Sequence, residues 1–148
     1  MPSITPSYLY TFIALLAVSS LLVFSFIAYA DVLRFSSEIK QLKNLMDNVA
    51  AKSTELLTLT LTTNATADAY LQMPTVIGNQ QYWLQIRNDS AKAWVEGGFG
   101  TTLMEGTDLR VYVPESSANG YYVGGYGALH FKCYFEADVL QILLENSG

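Results

Sequence analysis

The sequence has little of the side-chain chemistry on which most enzymes depend. Its 148 residues include one histidine and one cysteine. A lone cysteine, Cys133, excludes an internal disulfide and a metal site built from cysteines. His130 lies three residues away in a predicted strand, so the two side chains point to opposite faces and cannot be a ligand pair. No Ser-His-Asp set or calcium loop is readable. We therefore predict no enzyme, no metal and no cofactor.

Charge is also scarce, and its balance is acidic. Charged residues make up 14% of the chain, against about 25% in typical soluble domains, and the net charge is -5. No basic patch is present to neutralise phosphates, which excludes nucleic acid as the main partner. Tyrosine and threonine fill much of the remaining space. A neutral, hydroxyl-rich surface of this kind is common on secreted envelope proteins.

The first part of the chain lacks charge entirely. Met1 to Ala30 contains no charged side chain, and Tyr8 to Ala30 is a run of 23 mostly apolar residues. As a helix this run is about 34 Å long, enough to cross a hydrocarbon core of about 30 Å. A cleaved signal peptide is a poorer interpretation, because no basic segment precedes the run and the run is too long. We predict a transmembrane helix.

No proline, glycine or turn cluster ends this helix where the charged residues begin. Instead, six apolar residues spaced three and four apart form a stripe on one helical face: Val32, Phe35, Ile39, Leu42, Met46 and Val49. We predict one helix from about Ser7 to about Ser53, on the order of 70 Å long. The predicted domains are therefore a helix, 1–53, and a β head, 54–148. The stripe can be covered by the chain's own head or by the same helix in neighbouring copies.

After Thr54 the apolar period becomes two, which indicates half-buried strands. The predicted strand segments are LLTLTLTT (56–63), QYWLQIRN (81–88), KAWVE (92–96), DLRVYVP (108–114), ALHFKCYFEA (128–137) and DVLQILLE (138–145). The last segment has a short helix as its alternative. In the fifth segment Leu129, Phe131, Cys133 and Phe135 are predicted to face inward, and His130 to be a solvated residue facing outward. This spacing predicts an all-β sandwich of about seven strands.

Two N-glycosylation acceptor patterns fall in predicted loops, at Asn64-Ala65-Thr66 and Asn88-Asp89-Ser90. Both favour an external location for the β head. The positive-inside rule points the other way, because Arg34, Lys40 and Lys43 follow the apolar run. Long domains are often translocated regardless of such charges. We therefore expect the head to lie outside the cell and to be a glycoprotein.

In layout the whole chain resembles the type IV pilins, which join an apolar N-terminal helix with an amphipathic second half to one small β domain. The all-β head is similar to the archaeal branch, in which Ig-like sandwich heads occur. The stretch LQMPTVIGNQQYWLQIRND, with Pro74, Ile77, Gly78 and Tyr82, is similar to a P-x-x-I-G-x-x-x-Y pattern of archaeal pilin-like envelope proteins. The later NGYYVGGYGALHF fits the same layout.

The resemblance implies an α+β fold class with an Ig-like head, and a structural role in an extracellular filament at the cell surface that serves adhesion. The helix would be inserted in the plasma membrane before assembly and would form the filament core afterwards. The residues expected in that core or in lipid are Tyr8, Phe12, Leu16, Leu22 and Phe26. The stripe would pack partly on the chain's own head and partly on neighbours. The partners of the chain would be other copies of itself and a surface-layer protein or minor pilin.

Two other functions stay open at this point. One is a single-pass membrane-anchored envelope protein, whose β domain binds a surface-layer partner or a component of the archaellum or pilus machinery. The other is the ectodomain of an enzyme or a sensor. Recovery of the chain in a filament separates the first alternative from the pilin hypothesis.

Overall fold

The computed structural model describes residues 6–100 and 109–148, which form one long N-terminal helix followed by seven strands. The predicted α+β class is therefore confirmed. By its internal contacts the chain divides into a first unit that ends at Ser37 and a second unit, Glu38–Gly148. The elements are α1 (Pro6–Thr63), β1 (Ala67–Leu71), β2 (Tyr82–Asn88), β3 (Ala93–Phe99), β4 (Arg110–Val113), β5 (Ser117–Val123), β6 (Leu129–Glu136) and β7 (Val139–Asn146).

Helix α1 has clear start and stop signals. Its first residue is Pro6, whose fixed φ and missing N–H suit the first helical position. Neither glycine nor proline occurs again before its end. The next residue, Asn64, adopts a φ of 55° and donates its backbone N–H to the Thr60 carbonyl at 2.8 Å. Asparagine is one of the few residues that tolerate this left-handed cap.

The strand predicted for LLTLTLTT is wrong, because α1 continues through these residues to Thr63. The alternation of leucine and threonine also fits a helical period, and burial shows which period is used. Leu57 is fully buried, whereas Leu59 and Leu61 are 49% and 59% exposed. An inward-facing strand would have buried all three. The threonine hydroxyls also bond back to carbonyls one turn earlier, which the helix permits.

The other predicted strands are confirmed as β2, β3, β4, β6 and β7, including the last segment, for which a helix was the alternative. Asp108, the first residue of its predicted segment, lies outside the described residues. Strands β1 and β5 were not predicted. All seven strands form one mixed sheet in the order β1-β6-β7-β5-β2-β3-β4, antiparallel except for β5 beside β7.

Strand β5 joins the two halves of the sheet by changing partner along its length. Its first residues, from Ser117 to Gly120, pair with β7, and its last, from Tyr121 to Val123, pair with β2. Where β5 leaves β7, the side chain of Asn146 replaces the ladder. Its amide accepts a hydrogen bond from the Val123 N–H at 3.2 Å and donates one to the Val123 carbonyl at 2.9 Å.

The core of the second unit lies between the last part of α1 and the inner face of the sheet. The helix contributes Leu42, Met46, Val49, Ala50, Leu56 and Leu57 to one cluster with buried residues of the strands. The helix comes close to β3, where a methyl group added at Gly97 would lie 2.9 Å from Met46 Sδ. In β6, Leu129, Phe131 and Cys133 are fully buried, as predicted, and Phe135 packs on the same core.

Candidate assembly surface

The first part of α1 has no cover in the described structure. Every residue from Pro6 to Ser37 is exposed, and the large apolar side chains among them are 52% to 76% exposed. An 18-residue window of the helix has a mean hydropathy of 2.4, and none of it is buried. The segment is therefore long and apolar enough to cross a membrane. The five residues predicted to lie in the filament core or in lipid are exposed on this segment, and their burial there stays a prediction: Tyr8, Phe12, Leu16, Leu22 and Phe26.

The six predicted stripe residues fall into two groups. Val32 and Phe35 are 64% and 56% exposed. Leu42, Met46 and Val49 are fully buried against the sheet, and Ile39 is half-buried. Only the later part of the stripe is therefore covered within the described residues. That neighbouring copies cover the earlier part stays a prediction.

The buried face of α1 begins with a carboxylate, Glu38, which is only 6% exposed. Gln80 Nε2 donates a hydrogen bond of 3.0 Å to its Oε2. Burying a carboxylate costs free energy unless it is hydrogen-bonded, so the hydrogen bond from Gln80 offsets part of the cost of burying Glu38. The sequence pattern missed Glu38, because a charged residue on an amphipathic helix is expected on the polar face.

Gln80 is presented by the loop that contains the P-x-x-I-G-x-x-x-Y pattern, and the structure gives each pattern residue a packing role. Ile77 is buried and exchanges two backbone hydrogen bonds with Gln80 across a two-residue turn. Gly78 begins that turn with a φ of 61°, as in type II′ turns. Tyr82 donates its hydroxyl to the Pro74 carbonyl at 2.6 Å. Burial, together with Tyr122, raises the pKa of the Tyr82 hydroxyl, so it stays a donor.

Gly78 also contacts Glu38 directly. A methyl group added at Gly78 would overlap the carboxylate of Glu38, so a larger residue at this position would displace the Glu38 side chain. The structure shows that the loop packs on α1 at the start of the second unit.

The two glycosylation acceptors differ in their surroundings. Asn64 is exposed directly after α1. Asn88, also exposed, uses its side-chain oxygen to accept the Ala118 N–H at 3.1 Å. In the same turn the Asp89 carboxylate accepts two backbone hydrogen bonds, from Ala91 and Lys92, which lower the pKa of Asp89. Glycosylation at either asparagine stays a prediction.

The outer face of the sheet carries a buried carboxylate that the sequence did not reveal. Glu96 of β3 is fully buried and accepts a hydrogen bond of 2.7 Å from Trp94 Nε1. Arg110 Nε lies 3.4 Å from Glu96 Oε1, and Arg87 Nη1 lies 3.7 Å from Oε2. The Arg110 guanidinium also stacks on the Trp94 ring at 4.8 Å. These partners come from three neighbouring strands, so the cluster holds β2, β3 and β4 together.

His130 faces the outer side as predicted, but it is not simply solvated. Its Nδ1 lies 2.7 Å from Glu145 Oε1 and its Nε2 lies 3.2 Å from Asp68 Oδ1. Its ring stacks on Tyr70 at 4.6 Å between centroids. Cys133 lies in the core, where burial and the charge of Asp68 raise the pKa of its thiol to about 12. A thiol with so high a pKa is a poor nucleophile at neutral pH.

A shallow cleft of about 400 Å³ is lined by three acidic residues, Asp89, Glu115 and Asp138. The Asp89 carboxylate is already hydrogen-bonded to its own turn. In residues 6–100 and 109–148, no group of three or more His, Cys, Asp or Glu side chains is placed to hold a metal ion.

Comparison of the chain with protein-family models, with curated proteins and with solved structures gives no match. Among the described residues, most of the exposed large apolar side chains lie on the first part of α1, from Tyr8 to Phe35.

Proposed function

We propose that this chain is a structural subunit of an extracellular filament of the archaeal type IV pilus kind. In this proposal the first part of α1 packs with the same segment of other copies to form the filament core, and the β heads face solvent and mediate attachment. Before assembly, the same segment lies in the plasma membrane. The described strands form one mixed sheet. That the head has the Ig-like sandwich arrangement is part of this proposal.

One observation carries the proposal: a single helix is fully exposed and apolar in one part and buried on its own domain in the next. Covering a large apolar side chain is worth about 1.5–3 kcal/mol. The exposed segment presents many such side chains, from Tyr8 to Phe35, on all sides of the helix. Lipid can cover such a helix, and so can a bundle of identical helices. A single partner helix would leave most of its circumference open.

The outer face of the head supports a solvent-facing role. Its polar side chains are held by one another, as in the Glu96 and His130 clusters. Exposed tyrosines, including Tyr70, Tyr112 and Tyr121, lie among them. Such a surface is compatible with water and with contacts to other cells or materials. In this proposal the β head therefore lies on the outside of the filament.

The direct test is to shear the source cells, collect the released filaments by ultracentrifugation, and identify their subunits by mass spectrometry. We expect peptides of the head, such as the β6–β7 region, to be abundant in that fraction. A chain found only in washed membranes would overturn the filament proposal. It would favour the anchored envelope protein, and the search would turn to what its head binds.

A further inference from the structure

Charge is almost absent from the first unit. Between Pro6 and Ser37 only Asp31 and Arg34 are charged, one of each sign and one helical turn apart. Both are exposed. Among the described residues neither forms an ion pair, although several other ion pairs occur in the second unit. Within the described residues, two charges without an ion pair therefore lie at the end of the apolar segment.

These charges matter once the helix is covered. A charge removed from water costs free energy unless an opposite charge or a hydrogen-bonding group meets it. In a bundle of identical helices, the charged groups that the covered segment Pro6–Ser37 itself offers are the same two residues of another copy. Each copy offers an acceptor at Asp31 and a donor at Arg34, so two copies are complementary. Arginine suits this role, since its guanidinium can bind a carboxylate with two parallel hydrogen bonds.

We propose that Asp31 of one copy pairs with Arg34 of a neighbouring copy and thereby fixes the axial register of assembly. This inference rests on the proposed filament. An apolar helix surface has little preference for one axial position over another, whereas a charge pair is satisfied at one stagger only. Anionic lipid headgroups suit these two charges less well as partners, because they would neutralise Arg34 and leave Asp31 without a partner.

A test of this pairing has to distinguish an ion pair within one helix from an ion pair between two copies. Residues three apart can interact on the same helix, and such a pair contributes little. The two single charge reversals, D31R and R34D, each place two like charges on one helix, so neither variant can form the intrahelical pair. When the two variants are mixed, however, the arginine introduced in one chain can meet the aspartate introduced in the other.

To test the pair, D31R and R34D are expressed separately and together, in full-length chains that carry distinguishable tags on the C-terminus. The amount of filaments sheared from the cells is then measured. We expect each variant alone to lower the filament yield at least about tenfold. Co-expression should restore filaments that contain both tags. The double swap D31R/R34D should assemble like the unaltered chain. The controls E136R and K132D change the net charge as D31R and R34D do, respectively, at exposed residues of β6, and we expect both to leave assembly unchanged.

The outcomes separate this inference from the proposed function. If the unaltered chain forms filaments and the single variants assemble as well as it does, the charge pair is not required and the inference is overturned. The same holds if both single variants fail and co-expression does not restore filaments. If the unaltered chain is found in no filament, the proposed function fails and this inference fails with it. Filaments that contain both tags support the pair between copies.

Discussion

Helix α1 contains two regions with the same backbone and opposite surroundings. From Pro6 to Ser37 every side chain is exposed, whereas from Glu38 onward one face is buried under the sheet. The first region is apolar all round, and the second is apolar on one face only. A one-sided stripe matches one sheet, and an all-round apolar surface matches an environment that surrounds the helix. The comparison therefore separates what the chain covers by itself from what it leaves to lipid or to other copies.

The largest expected effect is on assembly. Phe35→Asp places a carboxylate on the exposed end of the stripe, where the proposal requires contact with neighbours. We expect filaments to be lost while the head stays folded. The control is Tyr121→Asp, since Tyr121 is 53% exposed on the head, close to the 56% of Phe35. Filaments that survive F35D, as counted by electron microscopy, would contradict the packing role given to this residue.

Truncation of a leucine to alanine should lower the stability of the head in one region of α1 and leave it unchanged in the other. Leu42→Ala removes a fully buried side chain and should lower the free energy of unfolding of the head by about 2–5 kcal/mol. Leu16→Ala truncates a side chain that is 54% exposed and should leave head stability unchanged. Denaturant unfolding of the full chain in detergent, followed by fluorescence of Trp83 and Trp94, reports on the head alone. Equal losses for the two variants would contradict the division of α1.

The contact at the start of the buried region can be tested at Gly78. Gly78→Ala adds a methyl group where the Glu38 carboxylate lies, and it forces a side chain into a positive φ. We expect a loss of about 1–3 kcal/mol in the free energy of unfolding. Adding Glu38→Ala removes the overlap but not the backbone strain. The loss caused by G78A should therefore be smaller in the E38A background, and equal losses in both backgrounds would argue against the contact.

The smallest expected effect concerns Cys133 in the core. Its thiol has an ordinary pKa of 9.0 and a pKa of about 12 in the folded chain. Since the folded state holds the proton more tightly, stability from this group is fully present below pH 9. It is lost as the pH rises from about 9 to 12. Substitution by alanine should flatten the stability profile in that window. Alkylation of the thiol at pH 8 should be slow until denaturant is added.

Residue patterns predicted much of this fold, and the failures have physical causes. The apolar run and the alternation in β2 and β6 are local and strongly periodic, so they could be read directly. The segment from Leu57 to Thr62 fits both periods, and only packing on the sheet decides between them. The Leu57 side chain lies inward, while Leu59 lies outward.

The contacts around the candidate surface could not be predicted, because they join residues far apart in the chain. Glu38 meets Gln80 42 residues later, and His130 meets Asp68 across 62 residues. Neither pairing leaves a local pattern. Strand β5 escaped prediction because its glycine and consecutive tyrosines show no clean alternation.

The central claim is that the exposed region of α1 is covered by copies of itself. A cryo-EM map of sheared filaments tests it most directly. The account predicts a core of bundled helices into which Pro6–Ser37 fits, with the β heads outside and Asp31 beside Arg34 of a neighbouring copy. A filament whose core is built from another chain, or in which this segment faces solvent, would contradict it.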